Sequence, residues 1–479
     1  MGASKKVVGI SFPRNNPNLG LEPSILSVLP PGENVEYVDD NRSFVDHDIG
    51  MYLCSVYING VNEFKEWAMK HDTRKIVVGG YHPTMFPEDF LNFVNKIVVG
   101  PCDDLDATLS QKGVLFEKSH YDGLQIGNAR FVEDRILKRF SSVEGWTRIH
   151  GEMSSNQEFP EEPSGKADVL EDRVLPGVLT FRNSPRYDLY DIRKNQQIIP
   201  DKKIDDLSTS INTSMGCPYK CDFCCINAPF GKSVFRYWNP EFMITEFDKI
   251  ANMGIRNIKI ADEMFVLNKN HFLKICDLII ERGYDFNIGA YARIDTVREE
   301  YLEKLKKAGV NWLALGIESG NRKVRIDAAK GKFDEVDVTD IVKKIESFDI
   351  EVISNYMFGM SGDTHETMQE TLDLAIELNT SGANFNPTMI FPGSPLFTDA
   401  VNKGIELPPT YSGYSYYSKD SFPNPADNLT REEILKFRDD AFQKYFNRKE
   451  WFGKIRKKFG QETVDIYKDI LKIKLERKL

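Results

Sequence analysis

The stretch Ser214-Met215-Gly216-Cys217-Pro218-Tyr219-Lys220-Cys221-Asp222-Phe223-Cys224-Cys225 gathers four of the chain's seven cysteines within residues 217–225. Cys217, Cys221 and Cys224 are separated by gaps of three and two residues. A short loop with that spacing can present three thiolates to one face of an iron–sulfur cubane and leave a fourth iron open. A structural zinc site is the competing reading. Zinc wants four closed ligands, usually from two pairs, whereas adjacent Cys224 and Cys225 rarely both reach one ion. No second Cys or His pair follows at finger-like spacing. The odd cysteine count argues against a disulfide framework.

Working outward from this loop, residues 207–395 alternate candidate strands with amphipathic helical stretches. The strands are expected at 209–213, 256–261, 285–294, 311–318, 351–358 and 384–390. Six strand–helix units predict an α/β fold, a parallel sheet closed partway into a (β/α)6 barrel with its site at the carboxyl ends of the strands. Residues 6–105 alternate similarly, with strands at 6–10, 35–38, 51–58, 75–78 and 96–99. They predict a Rossmann-like, doubly wound sheet, a fold that binds ligands at its carboxyl edge. The expected domains are 1–110, a connector over 111–206, the partial barrel over 207–395 and a helical C-terminal region over 396–479. In that last region Thr430 and Glu433 read as a helix-capping pair, Lys472 to Leu479 as a basic, frayed tail, and the aromatic run Tyr411 to Tyr417 as a pocket wall or a packed loop.

The net charge of −10 disfavours nucleic acid or an anionic membrane as partner, since both need a basic face. No apolar run approaches the roughly 18 to 20 residues of a membrane span. The first residues lack the long apolar core of a signal peptide. A cytoplasmic monomer is expected.

Phe223 occupies the aromatic slot of the motif Cys, three residues, Cys, two residues, Cys, and here the chain resembles the radical S-adenosylmethionine (SAM) superfamily. The resemblance implies a 4Fe–4S cluster on Cys217, Cys221 and Cys224, with Phe223 packed near the SAM adenine. It continues through Ala261-Asp262-Glu263, which would meet the SAM amino group. Next come Tyr291-Ala292-Arg293, for its carboxylate or ribose, and Gly316-Ile317-Glu318-Ser319-Gly320, where Glu318 and Ser319 would meet the ribose hydroxyls. Other readings stay open: first-turn helix charges for Asp262 and Glu263, and an ion pair to Asp295 or Glu318 for Arg293.

Gly79-Gly80-Tyr81-His82-Pro83 resembles the cobalamin-binding subgroup of that superfamily, so Gly79, Gly80, Tyr81 and His82 are the expected cobalamin contacts, with no histidine below the cobalt. His82 also reads as a plain turn residue. The implied function is reductive cleavage of SAM to a 5′-deoxyadenosyl radical for cobalamin-dependent methylation of an unactivated carbon in a small molecule or peptide. A flavodoxin- or ferredoxin-type reductant would supply the electron. The alternative is a radical SAM enzyme without methyl transfer, such as a cyclase, dehydratase, deoxygenase or epimerase, whose N-terminal domain does not use cobalamin.

Overall fold

The computed structural model describes residues 6–12, 34–38, 49–57, 60–80, 82–83, 87–90, 93–94 and 96–98, and the short strands at 114–118, 124–126, 146–149 and 178–179. It further describes 207–228, 233, 235–328, 336–426 and 429–478. Tyr81 and most of the expected connector lie outside these residues. The chain divides into two compact units, one of residues 1–162, 180–196 and 226–234, the other of 163–179, 197–225 and 235–479.

The first unit holds a parallel sheet of β1 (Lys6–Phe12), β2 (Val35–Val38), β3 (Ile49–Val56), β4 (Ile76–Gly79) and β5 (Lys96–Ile97), ordered β2-β1-β3-β4-β5. Its strands are near-continuous apolar runs, as expected where both faces are covered. Helix α1 (Val61–Ala68) buries Val61, Phe64, Trp67 and Ala68. Phe64 and Trp67 meet Phe12 at ring distances of 5.3 and 5.5 Å. Three further strands, β6 (Val114–Lys118), β7 (Leu124–Ile126) and β8 (Trp146–Ile149), form a small antiparallel sheet ordered β7-β6-β8.

The second unit is the partial barrel. Its parallel sheet runs β10 (Ser208–Ile211), β13 (Asn257–Ile260), β14 (Asn287–Arg293), β15 (Val310–Glu318), β16 (Glu351–Phe358) and β17 (Gly382–Pro387), in chain order. Between β10 and β13 lie β11 (Ser214–Met215), β12 (Arg236–Trp238) and α2 (Pro240–Asn252); β12 pairs with β9 (Val178–Leu179) and with β11. The crossovers are α3 (Lys269–Arg282), α4 (Glu299–Lys307), α5 (Arg322–Asp327), α6 (Val338–Ser347) and α7 (His365–Leu378). The chain continues in α8 (Pro395–Lys403), α9 (Arg431–Phe446) and α10 (Lys449–Lys472), the last kinked at Gly460. All six expected strands form. The sixth runs over Gly382–Pro387, and one further backbone bond, from Thr388 N–H to the Phe358 carbonyl at 2.8 Å, continues it.

A row of amides ties the amino ends of three strands together. Asn311 Nδ2 donates to Asn287 Oδ1 and Asn287 Nδ2 to Asn257 Oδ1, each at 3.0 Å. Such a row pins strand register, since a one-residue slip would turn each amide to the other face. The expected cap of α9 is present as a reciprocal box: Thr430 N–H donates to Glu433 Oε2 at 2.8 Å, and Glu433 N–H to Thr430 Oγ1 at 3.2 Å.

The start of α3 carries a buried histidine. His271 Nε2 lies 3.0 Å from the Trp238 carbonyl, and burial pulls its pKa down to about 4. The folded state therefore favours the neutral ring, and this stabilisation is present above the unfolded pKa near 6.5 and lost as pH falls towards 4. Acidification from pH 7 to 5 should cost the wild type about 2 kcal/mol through this group. Urea titrations at the two pH values should show that loss shrinking in His271→Gln; an equal loss in both proteins would refute the assignment.

Candidate cofactor site

The cysteine loop follows β10 of the barrel sheet and the short strand β11, and it is held by the protein's own side chains. Asp262, just past β13, is buried. Its carboxylate accepts from Thr213 N–H, Thr213 Oγ1 and Ser214 Oγ, each at 2.6 Å. Burial raises its pKa, and these three donors pull it back. Neighbouring Glu263 reaches the loop itself, its Oε2 accepting from Gly216 N–H at 2.9 Å. Burial, with the Asp262 charge beside it, pushes Glu263 up to about 7. Gly216 carries a φ of +82°, so the residue before Cys217 suits glycine.

The far side of the loop is tied to two helices, the carboxyl end of α5 and the first turn of α8. Asp222 N–H donates to the Ala328 carbonyl at 3.4 Å, and its own carbonyl accepts from Leu396 N–H at 2.8 Å. Phe223, half-buried, packs between the Val324–Ala328–Met357–Met360 cluster and the Ile390–Leu396–Ala400 cluster. Cys217 and Cys221 are buried, whereas Cys224 and Cys225 are partly exposed.

At the end of β14, Arg293 is 3% exposed and donates from Nε to Asp295 Oδ1 at 2.8 Å. Its guanidinium lies 3.5 Å above the centre of the Tyr219 ring. Burial pushes the Tyr219 hydroxyl up to about 12 against the pull of Arg293, and the nearby Asp295, Cys217 and Cys221 add to the rise. Arg293 and Tyr219 thus stand together beside two of the cysteines, and the ion pair to Asp295 is formed.

At the end of β15, Glu318 has a φ of +70° beside a break in register with β16. A non-glycine residue there is strained by about 1 kcal/mol or more, a feature that clusters at functional sites. Ser319 is turned inward, its Oγ 3.1 Å from Thr371 Oγ1 and accepting from Asn321 N–H at 3.0 Å. A side chain at Gly320 would place its Cβ 2.4 Å from the Glu370 carbonyl of α7, so only glycine lets this turn lie on the helix. Asp262 and Ser319 therefore spend their polar atoms on the protein. Glu263, Arg293 and Glu318 stand at successive strand ends.

The aromatic run 411–417 joins the same surroundings. Tyr416 meets Phe391 edge-on at 5.9 Å, and Tyr414 stacks on it at 6.4 Å. Burial raises the Tyr416 hydroxyl, helped by the nearby acidic groups of Cys225, Tyr417, Glu318 and Cys224; burial alone pushes Tyr414 up to about 12. Tyr414 and Tyr416 pack on Phe391, while Tyr417 is 57% exposed. Nothing in the sequence ties this run to the cysteines.

The first unit has its own crevice. Its strand order changes direction at the neighbouring pair β1 and β3, the place where open α/β sheets bind ligands. Ser11 and Ser55 are partners in the β1–β3 register. Ser11 Oγ is buried and makes no hydrogen bond among the described residues. Gly80 has a φ of +104°, and a Cβ there would sit 3.1 Å from Ser55 Oγ. An orphaned hydroxyl beside a gap that only glycine leaves open fits a polar-edged ligand lying against backbone. His82 is buried, with Nε2 2.8 Å from Asp89 Oδ2 and its ring against Phe90 at 5.8 Å. This imidazole serves the body of the unit.

A single ion and a cubane make different demands on the donor set of the cysteine loop. Among the described residues no three His, Cys, Asp or Glu side chains converge tightly enough to hold one metal ion. A cubane places each thiolate on a different iron and so spreads its ligands more widely than a tetrahedral zinc does. A loop of three cysteines held at both ends fits the cubane.

Residues 211–375 match the family model described as the Radical SAM superfamily. An uncharacterized methyltransferase of Pyrococcus horikoshii is 25% identical over 375 residues, which are 78% of this chain and 72% of that protein. An anaerobic magnesium-protoporphyrin IX monomethyl ester cyclase of Cereibacter sphaeroides is 25% identical over 252 residues; this chain covers only 39% of its length, and half of this chain is matched. Among solved structures, the radical S-adenosylmethionine methyltransferase TsrM of Kitasatospora setae, with cobalamin and a [4Fe-4S] cluster bound, superposes with a TM-score of 0.59 at 16% identity, covering 91% of each chain. At that identity the likeness concerns the fold.

The two consecutive acids should separate experimentally. Asp262→Ala removes one acceptor from three buried donors, and unfolding titrations should show a loss of about 3 kcal/mol. Glu263→Gln keeps the shape and an acceptor for Gly216 N–H, so it should stay within about 1 kcal/mol of wild type. Equal destabilisation by both would refute this division.

Proposed function

We propose, from the match of residues 211–375 to the radical SAM family model, that the protein is a cobalamin-dependent radical SAM methyltransferase acting on carbon in a small molecule or peptide. The single observation that carries the reading is the cysteine loop, anchored at both ends and flanked by Glu263, Arg293 and Glu318 at successive strand ends. When bound, the cluster would supply the electron that breaks a carbon–sulfur bond of SAM, and cobalamin would carry the methyl group. Cys217, Cys221 and Cys224 are the proposed cluster ligands. Cys225 is left out because its neighbour already serves the cluster.

The chain's own residues have distinct tasks in this reading. Glu263, raised to about 7 when no cation is near, would ionise fully against the SAM ammonium, since an opposite charge favours the carboxylate. Arg293, braced by Asp295 and by the Tyr219 face, would offer its guanidinium to the SAM carboxylate. Phe223 would press on the adenine from its place between two apolar clusters. Glu318 would accept from the ribose hydroxyls, and Ser319 would hold that turn onto α7. Asp262 would hold the loop rather than touch SAM.

The N-terminal crevice supports methyl transfer over the radical chemistry that does without it. Ser11, Ser55, Gly79 and Gly80 line the β1, β3 and β4 ends, and they suit a large ligand lying flat on backbone. Tyr81, outside the described residues, is proposed as a further contact of that ligand. His82, whose Nε2 is paired with Asp89, would act in this proposal by holding the turn after Gly80.

The test is anaerobic reconstitution with iron, sulfide and hydroxocobalamin, followed by gel filtration, metal analysis and product assay. The protein should hold iron and sulfide, retain cobalamin, and turn SAM into both S-adenosylhomocysteine and 5′-deoxyadenosine. Replacing Cys217, Cys221 or Cys224 by Ala should remove most of the iron and all SAM cleavage, while Cys225→Ala keeps both. Zinc in place of iron would refute the radical reading. Loss of all cobalamin from an iron-loaded protein would refute methyl transfer and leave the cyclase-type alternative.

A further inference from the structure

The basic tail expected to fray is instead docked. The Arg477 side chain is 11% exposed. It donates from Nε to Asp439 Oδ2 and from Nη2 to Asp439 Oδ1, both at 3.0 Å. Its Nη1 donates to the carbonyls of Tyr416 and Ser418, at 3.1 and 2.9 Å. One residue on, Lys478 N–H donates to the Lys419 carbonyl at 2.9 Å, and its Nζ pairs with Asp420. The planar guanidinium spans a carboxylate on one edge and two backbone carbonyls on the other, a task that an ammonium cannot perform.

Asp439 is itself fixed from the sheet side. Arg438 Nη1 donates to Asp439 Oδ1 at 2.8 Å, while Arg438 Nε donates to the Phe385 carbonyl of β17 at 2.7 Å. The sequence of contacts runs from β17 through Arg438, Asp439 and Arg477 to the backbone of Tyr416. The Tyr416 ring then meets Phe391, which follows Ile390 of the cluster that packs on Phe223.

We propose that Arg477 is a positioning residue, and that through it the C-terminal tail straps Tyr416 beside Cys224, Cys225 and Glu318 as the wall that shields the cluster's partly exposed side. The proposal rests on the reading of this loop as a cluster site. Arg477 does not itself touch the cluster or SAM. A strap of this kind sets what may approach the cluster from outside, so it also shapes the substrate side of the site.

The experiment compares full-length wild type, Arg477→Ala, Arg477→Lys and Tyr416→Ala, each reconstituted anaerobically. Three quantities are measured: iron content, amide hydrogen exchange over residues 411–422, and the rate at which the visible cluster absorbance bleaches in air-saturated buffer. Arg477→Ala should keep wild-type iron, exchange over 411–422 about tenfold faster, and bleach several times faster. Arg477→Lys should fall between it and wild type, because it keeps the charge and loses the fork. Tyr416→Ala should bleach faster with exchange over 411–422 little changed. Unchanged exchange in Arg477→Ala overturns the strap. Unchanged bleaching in both Ala variants overturns the shield. Faster exchange spread over α9 and α10 as well also overturns it, since Arg477 would then be holding the helix pair. Zinc in place of iron would sink the cluster reading alone, and exchange over 411–422 would still decide the strap.

Discussion

A buried carboxylate needs donors, and Asp262 finds them in Thr213 and Ser214. Leaving a buried charge unpaired costs several kcal/mol, so the end of β13 and the start of the cysteine loop are held together. The position of Gly216, and through it of Glu263 and Cys217, follows from that bond set. The loop's other end depends on α5 and α8 through Asp222. The cysteine loop is therefore held by hydrogen bonds to parts of the fold that do not include the cysteines.

Around this fixed loop the strand ends contribute one group each. The parallel sheet makes this possible because all its strands end on one edge. Glu263 follows β13, Arg293 closes β14 and Glu318 closes β15. The conformation at Glu318, with positive φ at a break in register, is unfavourable by itself and persists because Ser319 and Gly320 are locked onto α7. Local strain is thus carried by a residue at the carboxyl end of its strand, close to Tyr416.

The fold was readable because buried parallel strands are runs of β-branched and apolar residues, and those runs in 6–10, 76–78 and 351–358 leave little else to form. The cysteine spacing was readable for the same reason that it works: sequence gaps set loop reach. The division between Asp262 and Glu263 was not readable, because two adjacent acids look alike until their neighbours in space are known. Asp262 turned out to cap no helix; it binds a loop 49 residues earlier. Ser319 was expected at the ribose, and its hydroxyl lies against Thr371, a contact 52 residues away that no local pattern announces. The tail was read as frayed from its charge alone. A lone arginine gives no sign that Asp439 and two carbonyls will converge on it. The capping pair at Thr430 and Glu433, by contrast, lies within one helical turn, and it formed as expected.

The ties of Asp222 also set an order in time. Its amide needs Ala328 and its carbonyl needs Leu396, residues synthesised long after Cys224. A nascent chain that has released the three cysteines but not yet residue 396 carries thiols without the scaffold that spaces them. Domains form as units once their contacting parts are present, so the loop reaches its final spacing only after α8 has followed the sheet, not as the cysteines emerge.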